Sequence, residues 1–165
     1  MQLYHASNQV VEKPRLTNRF ATLDFGTGFY TTPNESQAVE FAKKVVARRG
    51  HKGSPTVNMY KLNLEQTNSD LIALELEDPD SDWLVFVVDN RNGRNASAGY
   101  DLVIGPVAND DVFATIALYE AGLIDKQAAI KGFRVKKLFR QYLFHTEKAL
   151  DCLTFKTSYI VGDRQ

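Results

Sequence analysis

Three short stretches of the sequence hold side chains that could bind or act on a small molecule: residues 3–7 (LYHAS), 24–32 (DFGTGFYTT) and 141–145 (QYLFH). The first supplies an imidazole, His5, which can both donate and accept hydrogen bonds. The second combines two glycines, which let the backbone turn tightly and approach a ligand, with aromatic rings that can stack on a flat ligand. Together these residue types suggest a site that holds a planar ring by stacking and by hydrogen bonds.

Each of these residues also has a purely structural interpretation. His5 on a short apolar strand is typical of a hydrogen-bonded core histidine, and Tyr30 and Phe41 taken singly are typical of core aromatics. The Gly-Thr-Gly pattern lacks the third glycine and the strand–helix–strand frame of a dinucleotide fingerprint, so on its own it is weak support for a site. The order of the three stretches along the chain is what favours a common site.

Composition limits the class of protein. The 165 residues are 44% hydrophobic, which fits one folded domain over residues 1–165. The 20 basic and 20 acidic residues cancel, so no overall field attracts nucleic acid or an anionic membrane. A single cysteine, Cys152, excludes an internal disulfide and a multi-cysteine zinc site, and indicates a buried, inert thiol in a reducing compartment. No apolar run reaches the roughly 18 residues of a membrane span and no signal-peptide pattern opens the sequence, so we expect a cytoplasmic protein.

Hydrophobic spacing and turn residues predict the elements that would position the three stretches. The expected strands are residues 2–5, 29–31, 57–64, 70–76, 100–107, 140–146 and 153–161. The expected helices are residues 33–49, 82–91, 112–122 and 125–137, with a helical turn over 147–152. The run at 82–91 is ambiguous, because its WLVFVV core would also suit a strand. Strands and helices mix without regular alternation, which predicts an α+β fold with a mostly antiparallel or mixed sheet.

The helix after the glycine pair has the clearest start signal. Thr32 suits the cap, Pro33 suits the first helical position, and Glu35 lies three residues after Thr32, as a capping box requires. Apolar residues recur at helical spacing from Ala38 onwards, and Gly50 is suited to end the helix. A helix is therefore expected to follow the glycine-aromatic stretch directly.

In this order the stretches resemble the signatures of the ADP-ribosyltransferase superfamily, in its His-Tyr-Glu branch with diphtheria toxin and poly(ADP-ribose) polymerase. "LYHAS" is similar to the first signature, "FGTGFYTT" with its following helix to the second, and "QYLFH" to the third, with Gln in the Glu position. Over nearly its full length the chain also resembles a bacterial group of unknown function attached to this superfamily, through "GFY", "DLVIGPVANDD" and "FHTEKAL". The resemblance implies a split β-sandwich with flanking helices.

The resemblance also implies a substrate, nicotinamide adenine dinucleotide (NAD), whose nicotinamide–ribose bond would be weakened in the site. His5 would then hydrogen-bond a ribose hydroxyl, and Ser7 would add a hydroxyl of its own. The backbone N–H and C=O of Ala6 would hold the nicotinamide amide; the family has Gly there, and Ala keeps both groups. Tyr30 would stack on one face of the nicotinamide ring and Phe41 would cover the other face.

Further residues of the implied cofactor site come from the glycine stretch and from a loop. Gly26, Gly28 and Phe29 would shape the backbone around the ligand. Residues 90–100 (NRNGRNASAGY) are expected to form an exposed loop, in which Arg91 could clamp the phosphates of the dinucleotide. Solvated loop charge is the simpler interpretation of that arginine.

The chain departs from the family pattern at the catalytic glutamate, where Gln141 stands. Glutamine keeps a hydrogen-bond acceptor but loses the negative charge that would stabilise an oxocarbenium-like ribose. A charged hydrogen bond contributes about 1.5–3 kcal/mol and a neutral one about 0.5–1.5 kcal/mol, so this difference alone costs roughly tenfold in rate. Glu147 is the second candidate, although strand spacing places it about 20 Å from Gln141 and Thr146 predicts a helix start before it. We expect no extension to a polymer.

The sequence therefore predicts a mono-ADP-ribosyltransferase-like protein that moves ADP-ribose from NAD to an unknown protein or nucleic-acid acceptor, or hydrolyses NAD. A toxin-type role with a neutralising antitoxin or immunity partner would fit such a domain. Two alternatives stay open: a non-catalytic binder of NAD or ADP-ribose, and an interaction module that has lost the pocket. His145 is interpreted as half-buried structure, the basic run at 134–140 as a solvated face or an acceptor contact, and the carboxylates at 110–111 as helix caps. No metal site is expected.

Overall fold

Two β-sheets and a layer of helices make up the protein, in a computed structural model that describes residues 1–16, 23–64, 70–107, 110–134 and 138–162. The strands are β1 (Gln2–Ser7), β2 (Phe29–Thr31), β3 (Thr56–Leu62), β4 (Ala73–Glu75), β5 (Leu102–Pro106), β6 (Arg140–Phe144) and β7 (Leu153–Ile160). The helices are α1 (Glu35–Arg48), α2 (Ser81–Arg91), α3 (Asp110–Glu120), α4 (Lys126–Arg134) and α5 (Glu147–Leu150).

The strands form two separate sheets. Sheet A has the order β1-β3-β7 and is antiparallel throughout. Sheet B has the order β2-β6-β5-β4, in which β4 and β5 run parallel and the other pairs run antiparallel. The predicted α+β class with mixed sheet pairing is therefore confirmed.

The main core lies between the two sheets. Apolar side chains alternate along the strands, so that one face of each sheet contributes to this core. Its largest members are Leu3, Tyr60 and Leu62 from sheet A, and Phe29, Leu102, Tyr142 and Phe144 from sheet B. Cys152 is buried in the same core, as predicted.

Helices cover the outer faces of both sheets. α1 packs against β1 and β3 of sheet A through small residues, with Ala38 and Ala42 against Tyr4 and Val57. α2, α3 and α4 form a helix layer over sheet B. Its buried members include Trp83, Val87, Ile116 and Phe133, which pack with Val103 and Leu143 of the sheet.

The ambiguous run at 82–91 is helical. The side chain of Asp80 accepts hydrogen bonds from the N–H groups of Asp82 and Trp83, each at 3.0 Å, and so caps α2. The Trp83 ring nitrogen donates to the Pro106 carbonyl at 2.9 Å, which ties the helix to sheet B. The strand expected over 70–76 is shorter than predicted, since only residues 73–75 pair with β5.

The predicted cap of α1 is wrong by two residues. Asn34 is the cap, and its side chain accepts a hydrogen bond from the N–H of Gln37 at 2.9 Å. Thr32 cannot take that place because both of its backbone groups bond to Tyr4. Its hydroxyl lies 2.9 Å from the carbonyl of Arg140, so Thr32 holds strands together instead.

The remaining helix boundaries lie within two residues of those predicted, apart from residues 135–137 of the predicted fourth helix, which lie outside the described residues. Gly50 and Gly122 have φ values of 66° and 70° and follow α1 and α3, as expected for glycines that end helices. None of the described helices is long and apolar enough to span a membrane.

Candidate functional site

Sheets A and B are joined by a single bridge in the described part of the chain, between Tyr4 of β1 and Thr32 just after β2. The N–H of Tyr4 donates to the carbonyl of Thr32 at 2.8 Å, and the N–H of Thr32 donates back at 2.9 Å. In a regular antiparallel ladder the next pair to exchange such bonds would be Ala6 and Tyr30. The bridge is isolated, so the two strands separate at that point.

The side chain of His5 lies where this ladder would continue. Its Nδ1 is 2.7 Å from the backbone carbonyl of Tyr30. A carbonyl only accepts, so Nδ1 carries the proton and Nε2 is left as the acceptor nitrogen of a neutral ring. The ring also stacks on Phe29, with the centroids 4.1 Å apart. We call the junction formed by Tyr4, His5, Ala6, Tyr30 and Thr32 the seam.

The ring of His5 stays neutral near physiological pH. Burial lowers the pKa of His5 to about 4; the hydrogen bond to Tyr30 opposes this shift, and the positive charge of Arg49 adds to it. The imidazole of the seam is therefore a hydrogen-bonding group rather than a cation.

The separation of the strands leaves the backbone of Ala6 facing the gap. The backbone N–H and C=O of Tyr4 both bond to Thr32. Residues two apart on a strand direct their backbone groups to the same side, so the N–H and C=O of Ala6 also point away from β3. Among the described residues neither group has a hydrogen-bond partner on that side. A donor and an acceptor lie side by side there, which is the pattern that a carboxamide complements.

The side chains of Tyr30 and Gln141 lie on the opposite face of sheet B, under the helix layer. Tyr30 pairs with Leu143 in the β2–β6 register, and Gln141 is two residues from Leu143, so these side chains share a face. The Tyr30 hydroxyl donates to the carbonyl of Gly26 at 2.6 Å and accepts from the N–H of Phe25 at 3.3 Å. Tyr30 thus holds the glycine loop from below.

The phenol of Tyr30 is not an acid–base group. Burial raises its pKa well above the usual range, the carboxylate of Asp24 acts in the same direction, and the hydrogen bond from Phe25 opposes both. Its chemical contribution is a ring face and a fixed hydroxyl.

Gln141 has unused hydrogen-bonding capacity. The residue is 6% exposed and pairs with Gly105 of β5. Its Nε2 is buried and has no partner among the described residues. An unpaired buried donor costs about 1–3 kcal/mol, so such an atom is found where something else can bind it.

The two glycines of the loop make close contact with the protein itself. Gly26 has a φ of 86°, and a Cβ there would lie 2.6 Å from the hydroxyl of Ser97. A Cβ on Gly28 would lie 2.5 Å from the carbonyl oxygen of Phe144. The tight turn expected of this loop is confirmed, while the expected close approach to a ligand stays a prediction.

Asn90 and Ser97 anchor the loop from the helix layer, and sequence reasoning missed both. The Asn90 Oδ1 accepts from the N–H of Ser97 at 3.2 Å, and its Nδ2 donates to the carbonyl of Asp24 at 3.3 Å. Both residues lie in the stretch that was expected to be an exposed loop. The only signal in the sequence is that polar residues stand beside apolar ones in α2.

His145 supports the same loop from β6. Gln141, Leu143 and His145 alternate along one face of the strand, which places the imidazole against Gly26 and Thr27. Burial lowers the pKa of His145, and hydrogen bonds to the backbone of Thr27 and Phe25 oppose the shift. The interpretation of His145 as half-buried structure is confirmed, and its Nε2 is buried without a partner in the described chain.

The expectation of an exposed, solvated Arg91 is wrong. Arg91 is the last residue of α2, and its side chain is only 10% exposed. Its Nε lies 3.7 Å from the carboxylate of Asp24, and its guanidinium carbon lies 3.4 Å from the centroid of the Phe113 ring. The helix continues through Asn90 and brings the cation to its own C-terminus, where the helix dipole stabilises it. Phosphate binding by Arg91 stays a prediction.

The other predicted aromatic residues lie apart from one another. Phe29 is 6% exposed in the inter-sheet core. Phe41 is 46% exposed on α1, and the guanidinium of Arg48 lies 5.6 Å from its ring centroid. Phe29 stacks on His5. Among the described residues, Phe41 makes no ring contact with Tyr30.

Ser7 and Glu147 lie at the margins. Ser7 is buried at the end of β1. Glu147 is exposed at the start of α5, where Thr146 accepts a hydrogen bond from the N–H of Ala149 at 3.2 Å and so confirms the predicted helix start. Glu147 and Gln141 therefore lie towards opposite ends of β6.

Two cavities of about 570 Å³ each lie away from the seam. One is lined by Glu77, Asp80, Phe133 and Arg140, among others, and the other by Glu35, Val39 and Tyr159. Neither is lined by His5, Tyr30 or Gln141. A ligand at the seam would thus bind along the open edge of β1.

Comparison with known proteins gives one match. A family model described as "Protein of unknown function (DUF3990)" matches residues 1–155, which include every seam residue as well as Gln141 and His145. No curated protein and no solved structure matches the chain significantly. An account of function must therefore start from the side chains and backbone groups described above.

Proposed function

We propose that this chain, which belongs to the DUF3990 family, binds NAD at the seam and is a mono-ADP-ribosyltransferase-like protein. The observation that carries the proposal is the free edge of β1 beside His5. There the N–H and C=O of Ala6 offer a donor and an acceptor without partners among the described residues. The nicotinamide end of NAD carries a carboxamide, which has the complementary acceptor and donor.

The finer fold assignment is part of this proposal. Two sheets that share a core, touch at one bridge and separate beyond it fit an ADP-ribosyltransferase-like split β-sandwich with flanking helices. In that arrangement the point of separation is the binding site. The order of "LYHAS", "FGTGFYTT" and "QYLFH" along the chain supports the same assignment.

His5 has the tautomer that ribose binding requires. Because Nδ1 donates to Tyr30, the neutral ring keeps an acceptor at Nε2 for a ribose hydroxyl. The low pKa of the ring keeps that acceptor available at neutral pH. The Tyr30 ring lies on the other face of sheet B, so Tyr30 takes part in the proposed site through the backbone carbonyl that fixes His5.

In the proposed reaction the bond between the nicotinamide nitrogen and ribose C1′ breaks, and nicotinamide leaves with the bonding electron pair. The acceptor, a nucleophile on a protein or nucleic acid, forms the new bond at C1′ and releases its proton to solvent. Water in place of the acceptor gives hydrolysis. Gln141 is buried on the other face of sheet B and, being neutral, supplies no negative charge to the oxocarbenium-like state. Transfer is therefore expected to be slow.

A second candidate function is non-catalytic binding of NAD or ADP-ribose. The amide at position 141 favours it, because a neutral glutamine lacks the charge that would help to weaken the glycosidic bond. A toxin-type role with a neutralising partner is the biology we propose for the catalytic case only.

Calorimetry with NAD and with ADP-ribose, alongside an assay of nicotinamide release and a bacterial lysate with labelled NAD, separates these functions. Binding with nicotinamide release and a labelled acceptor supports the transferase. Binding with no release and no label selects the non-catalytic binder. Binding of neither compound rejects the site.

A further inference from the structure

The helix α3 is apolar on both of its faces. Residues 112–119 (VFATIALY) contain no charged side chain. Val112 and Ile116 are fully buried against sheet B, whereas Phe113 and Leu118 on the other side are 52% and 43% exposed. A helix that is apolar all round is typical of one buried on both sides. Among the described residues, only the side with Val112 and Ile116 is covered.

The exposed apolar residues of α3 form a continuous stripe. They recur at helical spacing within about 140° of the helix circumference. The stripe consists of Phe113, Ala114, Ala117 and Leu118, and it is extended just beyond the helix by Ala121 and by Leu123, which is 72% exposed. We call these six residues the outer α3 stripe.

The sequence around the outer α3 stripe is acidic. Residues 110–125 contain four carboxylates and no basic residue. The Arg91 guanidinium stacks on the Phe113 ring beside Asp24, and Lys126 donates to the Ser81 hydroxyl at 2.9 Å. An occupant of the stripe must therefore combine apolar side chains with positive flanks.

This charge pattern decides between occupants. Two copies of α3 packed together would place acidic flanks against acidic flanks, and an anionic membrane surface would repel them as well. A helix with an apolar face and Lys or Arg beside it satisfies both requirements. Phe113 is already fixed by its stacking on Arg91, which gives such a helix an ordered aromatic anchor.

We propose that the outer α3 stripe is the docking surface for an amphipathic helix of a partner protein, with an apolar face and basic flanks. The stripe is on the helix layer, and the seam is on the edge of β1. The proposal therefore holds whether or not the chain binds NAD.

A peptide library displayed on phage, with random sequences of about 16 residues, or roughly four helical turns, tests this proposal against the purified full chain. Selected peptides should share apolar residues at three- and four-residue spacing with Lys or Arg beside them. Leu118→Glu and Ala117→Glu should each weaken the binding of the selected peptides at least about tenfold. Val10→Glu is the matched control, since Val10 is 51% exposed elsewhere and should leave affinity within about twofold.

Sedimentation velocity and vesicle flotation complete the test. The chain should be monomeric, and it should not bind anionic vesicles. Self-association or vesicle binding that Leu118→Glu abolishes would assign the stripe to a second copy or to a membrane and overturn the proposal. It is equally overturned if no peptide is enriched, if the selected peptides lack basic flanks, or if they bind Leu118→Glu unchanged. Circular dichroism of each variant verifies folding.

Discussion

The imidazole of His5 and the backbone carbonyl of Tyr30 are joined by a 2.7 Å hydrogen bond that replaces a bond between two strands. In a continued ladder that carbonyl would accept from the N–H of Ala6. The side chain therefore satisfies Tyr30 and releases Ala6 at the same time. A side-chain donor, that of His5, takes the place of a backbone donor, so the edge of β1 stays open. The proposed function depends on this open edge.

Ala6→Pro tests that edge directly. Proline removes the N–H proposed to hold the carboxamide, and edge positions whose N–H points outward tolerate proline. We expect NAD affinity to fall at least about tenfold, as for the loss of a hydrogen bond that leaves its partner unpaired. Gln2→Pro is the matched control, because Gln2 lies on the same side of β1, away from the seam. Equal NAD affinity of both variants by calorimetry would contradict the assignment of Ala6.

Gln141→Glu introduces the carboxylate that the proposed transferase function would use. If the seam binds NAD productively, nicotinamide release should rise at least about tenfold, since a charged hydrogen bond replaces a neutral one. The melting temperature should fall, because a carboxylate at a position that is 6% exposed is costly to bury. Gln141→Met is the control: it removes the unpaired amide, so it should be at least as stable as the natural chain and show no gain in release. Unchanged release by a folded Glu variant that binds NAD would favour the non-catalytic function.

Stability should fall as the solution is acidified. The unfolded chain takes up a proton on His5 near the ordinary pKa of 6.5, and the folded chain does so only near pH 4. The folded state is thus fully favoured above about pH 6.5 and loses up to about 3 kcal/mol as the pH falls to about 4. Urea denaturation across this window measures the slope. His5→Gln should make the dependence of stability on pH less steep. Part of the slope should remain, because the lowered pKa of His145 acts in the same direction. An unaltered slope would mean that His5 is not held neutral.

Gly28→Ala should destabilise the glycine loop by about 1–3 kcal/mol, as for overpacking elsewhere. Its Cβ would lie 2.5 Å from the Phe144 carbonyl oxygen, which belongs to a paired strand and cannot move aside. Gly132→Ala is the control, because a Cβ there meets Thr115 at an ordinary 3.5 Å and should stabilise α4 by up to about 1 kcal/mol. Thermal unfolding of the two variants should therefore shift in opposite directions. An unchanged or raised melting temperature of Gly28→Ala would show that β2 can yield.

Local signals were sufficient for most elements but not for the contacts between them. Helical periodicity identified α1, and the Gly50 stop identified its end, because both depend on neighbours in sequence. Thr32 was misassigned as a cap because its backbone is committed to Tyr4, a contact that no local pattern encodes. Arg91 was misassigned for a similar reason, since α2 continues by packing against sheet B.

For the candidate site, too, the sequence predicts the residue types but not the contacts between elements. The residue types at His5, Tyr30 and Gln141 could be selected from the sequence, since each lies in a stretch with its own pattern. That His5 would bond to the Tyr30 backbone, while the Tyr30 side chain turns to the other face, depends on how two sheets meet. Strand alternation places His145 on the same face as Gln141, so its support of the glycine loop could have been predicted from the sequence.

The position of β3, the central strand of sheet A, affects how the protein folds during synthesis. β3 pairs with β1 on one side and with β7 on the other, and on the β7 side Thr56 meets Ile160. Such a pairing between residues so distant in sequence closes a long loop, which makes assembly slow compared with that of a helical bundle. During synthesis on the ribosome, β3 must wait for the last strand to emerge, with one edge uncovered. A nascent chain halted before β7 would carry every seam residue while one edge of β3 is still uncovered.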